Sequence, residues 1–169
     1  MKRKLLFQRK IWSVLPMLLF MGVIFSFSAK TAVESSQSSN AIVEVLMDEH
    51  LLGSVVKNPD RTRETLSFLV RKAAHMAEFG VLATLALYWL TSFSLPYKKR
   101  CLLAVLIAAC YAASDEFHQR FVPGRSGELR DVMIDAAGAI LGILSLSLIR
   151  YLILKRACAK KNARAEQIT

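Results

Sequence analysis

Three stretches of the chain carry residue types suited to acid–base or anion-binding chemistry. Arg71, His75 and Glu78 stand at i, i+4 and i+7, so on a helix they share one face, with Lys72 beside the first of them. At about 1.5 Å per residue that face covers roughly 10 Å of helix. Asp115 and Gln119 are one turn apart, as are Glu116 and Arg120. Asp131, Asp135, Gly138 and Gly142 follow one face of a further segment, whose two glycines admit close approach by another helix. Between these last two groups, Phe121-Val122-Pro123-Gly124-Arg125-Ser126-Gly127 is short and turn-prone and carries Arg125.

The chemistry open to this set is limited. His75, Glu78, Asp115 and Glu116 are the candidates for proton transfer. Arg71, Lys72, Gln119, Arg125, Asp131 and Asp135 are the candidates for ligand binding, with Arg125 and Lys72 suited to holding a phosphate or carboxylate. Imidazole and carboxylate also suit zinc or manganese. Neither a His-Glu-x-x-His helix nor a paired Glu-x-x-His is present, so no metal or other cofactor is expected and a divalent ion is a minor alternative. A structural network of buried ion pairs around Arg71, Arg125 and Arg130 is the plainer expectation. Nucleophile elbow, P-loop and Gly-rich dinucleotide motifs are all missing, which removes the common soluble-enzyme classes. Ser114 reads as a cap or packing serine, and His50 and His118 as interfacial or solvated.

The elements that must position these groups are apolar blocks. Of 169 residues 54% are apolar, and they fall in long runs instead of at soluble-core periodicity. Four spans are expected, at about 11–29, 66–95, 101–121 and 132–154, within one all-α membrane domain over 11–154. A basic leader, 1–10, precedes it and a basic tail, 155–169, follows. Leader and first block together also resemble a signal peptide, with Ser26 and Ser28 suitably placed for cleavage. An uncleaved span is preferred, because the block is long, carries Trp12 at its start and precedes further spans that need an anchor. Three cysteines, Cys101 and Cys110 in an apolar block and Cys158 in the tail, make no disulfide framework; they read as small fillers and one tail thiol, with palmitoylation of Cys158 as the alternative.

Net charge is +10, and the position of the basic residues decides what that means. They flank apolar blocks and form no nucleic-acid-binding signature, so no nucleic acid is expected as partner. Five lie in the leader, three in the loop Lys98-Lys99-Arg100 and five in the tail, almost without acids; between Lys30 and Lys72 six basic residues are matched by six acids. The positive-inside rule then puts both termini in the cytoplasm and the polar groups at the outer face of a plasma membrane. The first outer loop joins a Ser-rich stretch, Ser35 to Asn40, to Ala41–Val56, where Ile42, Val45, Leu46, Leu52 and Val56 share a helical face. An interfacial amphipathic helix is expected there, capped by Ser38, Ser39 or Asn40, with Asn58-Pro59-Asp60 as the turn into the second span.

Charge is costly in a bilayer, about 2.5 to 3.5 kcal/mol per residue on insertion scales, so polar groups on three spans at one depth are expected to converge. The inner halves of the second and third spans, Val81 to Leu90 and Cys101 to Ala109, are apolar, which argues against a channel through one molecule.

The chain resembles the VanZ-like membrane proteins, named for a teicoplanin-resistance protein. The resemblance rests on Phe25-Ser26-Phe27-Ser28 followed by spaced serines, on Arg71-Lys72-Ala73-Ala74-His75-Met76-Ala77-Glu78-Phe79, on Ser114-Asp115-Glu116-Phe117-His118-Gln119-Arg120-Phe121-Val122-Pro123-Gly124-Arg125, and on Asp131-Val132 through Gly138 to Gly142. It implies a multi-span envelope protein linked to glycopeptide susceptibility and no settled reaction. The leading expectation is an outward-facing site for a lipid-linked or peptide-like envelope component, in contact with membrane lipids. The alternatives are a membrane-embedded hydrolase or transferase on a lipid-linked substrate, and a structural assembly partner.

Overall fold

A computed structural model describes residues 2–47 and 58–166, and every regular element among them is helical. In chain order these are α1 (Lys2–Ser28), α2 (Ala32–Leu46), α3 (Pro59–Leu90), α4 (Tyr97–Gln119) and α5 (Leu129–Glu166). Four of them, α1, α3, α4 and α5, are long and apolar enough to cross a bilayer. At 15 residues α2 is not. The protein is an all-α membrane helix bundle with one additional short helix.

Its packing follows the logic of a bundle solvated by hydrocarbon. Leu19 of α1, Leu102 of α4 and Leu144 of α5 all point outward and stay exposed. Lipid tails are as apolar as leucine, so such residues gain little by moving inside, and small residues that let helices touch take the interior. Ala104, Ala108 and Ala112 form a fully buried stripe at i, i+4 and i+8 on α4. Facing it, α3 buries Phe79, Leu82, Ala83 and Ala86, the spacing of one helical face. Between α3 and α5 the approach is closer still. A Cβ on Gly138 would run into the backbone of Met76, and one on Gly142 into that of Gly80. Thus α3, which touches all four other helices, is the central post of the bundle.

Hydrogen bonds pin the spans at intervals. The Tyr111 hydroxyl donates to the carbonyl of Met21 at 2.6 Å, tying α4 to α1. Farther from the polar end, Ser13 pairs with Ser92 and Tyr97 with Ser147, each at 2.8 Å.

Several boundaries differ from the sequence expectation. The short helix begins at Ala32, well before Ala41, because Thr31 and Glu34 form a capping box: each side chain satisfies the other's backbone N–H. Ser38 and Ser39 are therefore not caps; their hydroxyls donate to the carbonyls of Glu34 and Ser35 inside the helix. Leu52 and Val56, assigned to the same amphipathic face, lie outside the described residues, as does His50. Pro59 opens α3 where its missing N–H costs nothing, so the helix starts a turn and more before Leu66. The basic segments at the two ends of the chain continue α1 and α5 as helix, α5 through Glu166.

Candidate functional site

The alanine stripe of α4 runs on, along the same face, into Asp115, Glu116 and Gln119, all at most 5% exposed. One helix face thus changes from close-packing residues to polar ones within a turn. The carboxylate of Asp115 is doubly held: its Oδ2 accepts from Ser28 Oγ at 2.7 Å and from Gln119 Nε2 at 2.9 Å. The amide oxygen of Gln119 in turn accepts from Arg125 Nη1 at 3.0 Å. A relay of three hydrogen bonds therefore joins the end of α1, the end of α4 and the loop before α5.

Local backbone geometry aims Arg125. Its N–H donates to the Val122 carbonyl, closing a turn in which Gly124 has φ +77°. Glycine reaches that region without a Cβ penalty, and proline before it presets the turn. On the other side of the loop, the backbone N–H of Glu128 donates to Glu116 Oε1 at 2.8 Å, which fixes the start of α5. One ion pair then clamps α5 to α3, Lys72 Nζ to Asp131 Oδ1 at 2.5 Å.

Within this frame lie two cavities of about 190 Å³ each, and Arg71, His75 and Arg125 line both. The first also has Lys72, Glu116, Gln119, Asp131 and Asp135 on its walls. The second has Lys30, Glu78, and Ser35, Ser38 and Ser39 of α2. His75 Nδ1 stands 4.0 Å from Glu78 Oε2 and 4.0 Å from Asp135 Oδ2, beyond hydrogen-bond distance of either. Among the described residues it has no hydrogen-bond partner, and neither do the buried Arg71 Nε and Asp115 Oδ1. Burial, and then the positive charge of Arg71, pull the pKa of Arg125 below its ordinary value.

The charged and amide residues singled out by spacing lie at this end of the bundle, but not in the expected arrangement. Asp115, a candidate for proton transfer, lines neither of these two cavities; it is enclosed between Ser28 and Gln119 and acts as an anchor. The ion-pair network around three arginines is replaced by other contacts. Among the described residues no carboxylate comes within 4.0 Å of Arg71, Arg125 or Arg130. Arg71 donates to Ser36 Oγ at 3.2 Å, Arg125 is turned to Gln119, and Arg130 lies over the Phe68 ring. The shorter lysine takes Asp131, while a backbone N–H takes Glu116, so these two acids are engaged without the arginines. Arg120, one turn from Glu116, is exposed and unpaired with it. His118 stacks on Phe25, ring centroids 4.4 Å apart, and Ser114 bonds the Tyr111 carbonyl. Among the described residues no three His, Cys, Asp or Glu side chains are grouped to hold a metal ion.

Sequence reasoning passed over two partners. Ser28, weighed as a cleavage position, is the buried donor to Asp115; its signal was the Phe-Ser-Phe-Ser run closing the first span. Ser36, part of the Ser-rich stretch of the first outer loop, lies in α2 and meets Arg71.

No curated protein and no solved structure matches this chain. A family model described as VanZ/LLP1 matches residues 13–150, a stretch that contains every hydrogen bond of the Ser28–Asp115–Gln119–Arg125 relay and the glycine contacts between α3 and α5. That match covers most of the chain, and the protein belongs to the VanZ/LLP1 family.

Proposed function

We propose that this protein is a multi-pass plasma-membrane protein with both termini in the cytoplasm, whose polar end faces outward and binds a lipid-linked or peptide-like component of the cell envelope. Through that ligand it alters susceptibility to glycopeptide antibiotics of the teicoplanin type. The observation that carries the reading is the shared wall of the two cavities: Arg71 and Arg125 have no acidic partner among the described residues, and Arg71 Nε and His75 Nδ1 are buried without acceptor or donor. Buried polar groups normally find partners within the protein, and groups left open in a cavity are suited to a ligand's polar atoms. Membership of the VanZ/LLP1 family and the basic flanks on the opposite side support the envelope setting and the orientation.

Alanine at Glu78, Asp115 or Arg125 is expected to abolish glycopeptide tolerance at unchanged membrane level. Full tolerance in all three would refute the reading. A reporter fused near Lys98 should report the cytoplasm, and an external signal there would reverse the orientation.

One observation favours a catalytic version. His75 stands equidistant from Glu78 and Asp135, close enough that a small movement makes it a hydrogen-bonded acid–base pair with either. Turnover of an envelope lipid by purified protein, lost in Glu78→Gln, would establish a hydrolase or transferase. Binding without turnover supports the binding reading, and neither activity, with a tolerant site, would mark a structural assembly partner.

A further inference from the structure

The two cavities differ in charge. Three cations, Lys30, Arg71 and Arg125, border the second, against one carboxylate, Glu78, a surplus of two positive charges (three less one). None of the three cations has a carboxylate within 4.0 Å among the described residues. Lys30 Nζ rests over the Phe27 ring at 4.8 Å, and Glu34, the acid one turn away on α2, is bound to Thr31. Ser35 adds a hydroxyl to the wall. Ser38, Ser39 and His75 complete the polar part, and the apolar part is Phe27 from α1, Ile42 from α2, and Val70 and Ala74 from α3.

Charge, donor geometry and rim point to one ligand chemistry. A phosphate monoester carries about −1.5 to −2 at neutral pH and three acceptor oxygens, which matches two guanidinium forks and an ammonium better than a single carboxylate does. The apolar rim suits the first carbons of a chain attached to it. We propose that the cavity between α1, α2 and α3 is a phosphate subsite that takes the phosphate headgroup of a membrane lipid, with Arg71 and Arg125 as the forks, Lys30 as the third cation and the chain leaving over Phe27 and Ile42. The first cavity, across the Arg71–His75–Arg125 wall, is left for whatever the phosphate carries. This deepens the envelope-ligand reading and rests on it.

The test is equilibrium binding to the full chain in a maltoside detergent, with farnesyl phosphate, farnesol and inorganic phosphate as probes. Farnesyl phosphate should bind at least about tenfold more tightly than either of the others, and Arg71→Gln or Lys30→Gln should remove about tenfold of its affinity, the scale of one charge-assisted contact. Lys30 makes only a ring contact in the fold, so its variant keeps the test valid if Arg71→Gln fails to fold. Equal affinity for farnesol removes the phosphate, equal affinity for inorganic phosphate removes the lipid, and unchanged affinity in Lys30→Gln removes the site assigned; any of the three overturns the proposal. Loss of tolerance in the Glu78, Asp115 and Arg125 variants without farnesyl phosphate binding would sink the subsite and spare the envelope reading. Binding with undisturbed tolerance would do the reverse.

Discussion

The two halves of the bundle are built on opposite rules. In the apolar half, α3, α4 and α5 meet through Ala104, Ala108, Gly80 and Gly142, and backbones come close enough that a single added methyl collides. In the polar half the ends of these helices are linked through side chains, by a three-bond relay and an ion pair, and one cavity lies between them with a second between α1, α2 and α3. Close contact fixes the helix axes, and that allows polar groups farther along those axes to stay incompletely paired without the fold loosening. The closest helix contacts adjoin the candidate site on its apolar side, with Gly138 against Met76 beside His75.

The sharpest way to break that contrast is to pry the close half open. Gly138→Val puts side-chain atoms into the Met76 backbone, which has no flexible end to yield, and is expected to cost about 3 kcal/mol or more. Gly22 is the control, because a Cβ there meets nothing within 4 Å. Gly22→Ala should leave stability level or raise it by up to about 1 kcal/mol through helix propensity. Thermal unfolding in detergent, followed by circular dichroism, reads both; equal losses at the two positions would mean that the seam is not what holds the spans.

Next in size is Asp115→Ala, which strips the acceptor from Ser28 and Gln119 and frees Gln119 to turn from Arg125. A buried donor left unsatisfied costs about 1–3 kcal/mol, so melting falls moderately while the glycopeptide phenotype disappears. Smaller again is Tyr111→Phe, which removes one bond to the Met21 carbonyl near the boundary of the two halves. Hydrogen bonds between membrane helices average about 0.6 kcal/mol, so a small drop in melting temperature with the phenotype intact is expected. If Tyr111→Phe matched Asp115→Ala in both readouts, the polar half would be an ordinary structural layer.

How much of this could be read in the sequence divides along the same line. Apolar runs of spanning length disclose four spans, and the i, i+4, i+7 spacing of Arg71, His75 and Glu78 places one face of the site, because both depend only on local helix geometry. Choice of partner depends on tertiary geometry. Ser28 meets Asp115 across 87 positions of chain, and no spacing rule links them. Arginines that look ready to pair with carboxylates are turned to Ser36 and Gln119, while Lys72 and a backbone N–H hold Asp131 and Glu116. The start of α2 lies ahead of the amphipathic stretch for a local reason: serines lower helix propensity, and the Thr31–Glu34 capping box outweighs them.

That capping box gives the smallest and most selective test, because α2 borders the second cavity and does not span. Glu34 is fully exposed, and its carboxyl is held below the ordinary range first by the Thr31 backbone N–H, then by the Thr31 hydroxyl. A depressed folded-state pKa means that the carboxylate's contribution is present above the unfolded value and is lost as pH falls through the folded one. Acidification from neutral pH to below the normal carboxylate range should therefore loosen the first turn of α2, from Thr31 to Ser35, and speed amide exchange there. The amides of α4 between Ala104 and Ala112, in the close-packed half, should not respond. Glu34→Gln should flatten the pH dependence, since a neutral amide accepts the Thr31 N–H at any pH but without charge assistance. A pH response spread equally over α2 and the alanine stripe would show that the two halves unfold as one unit and would remove the division between them.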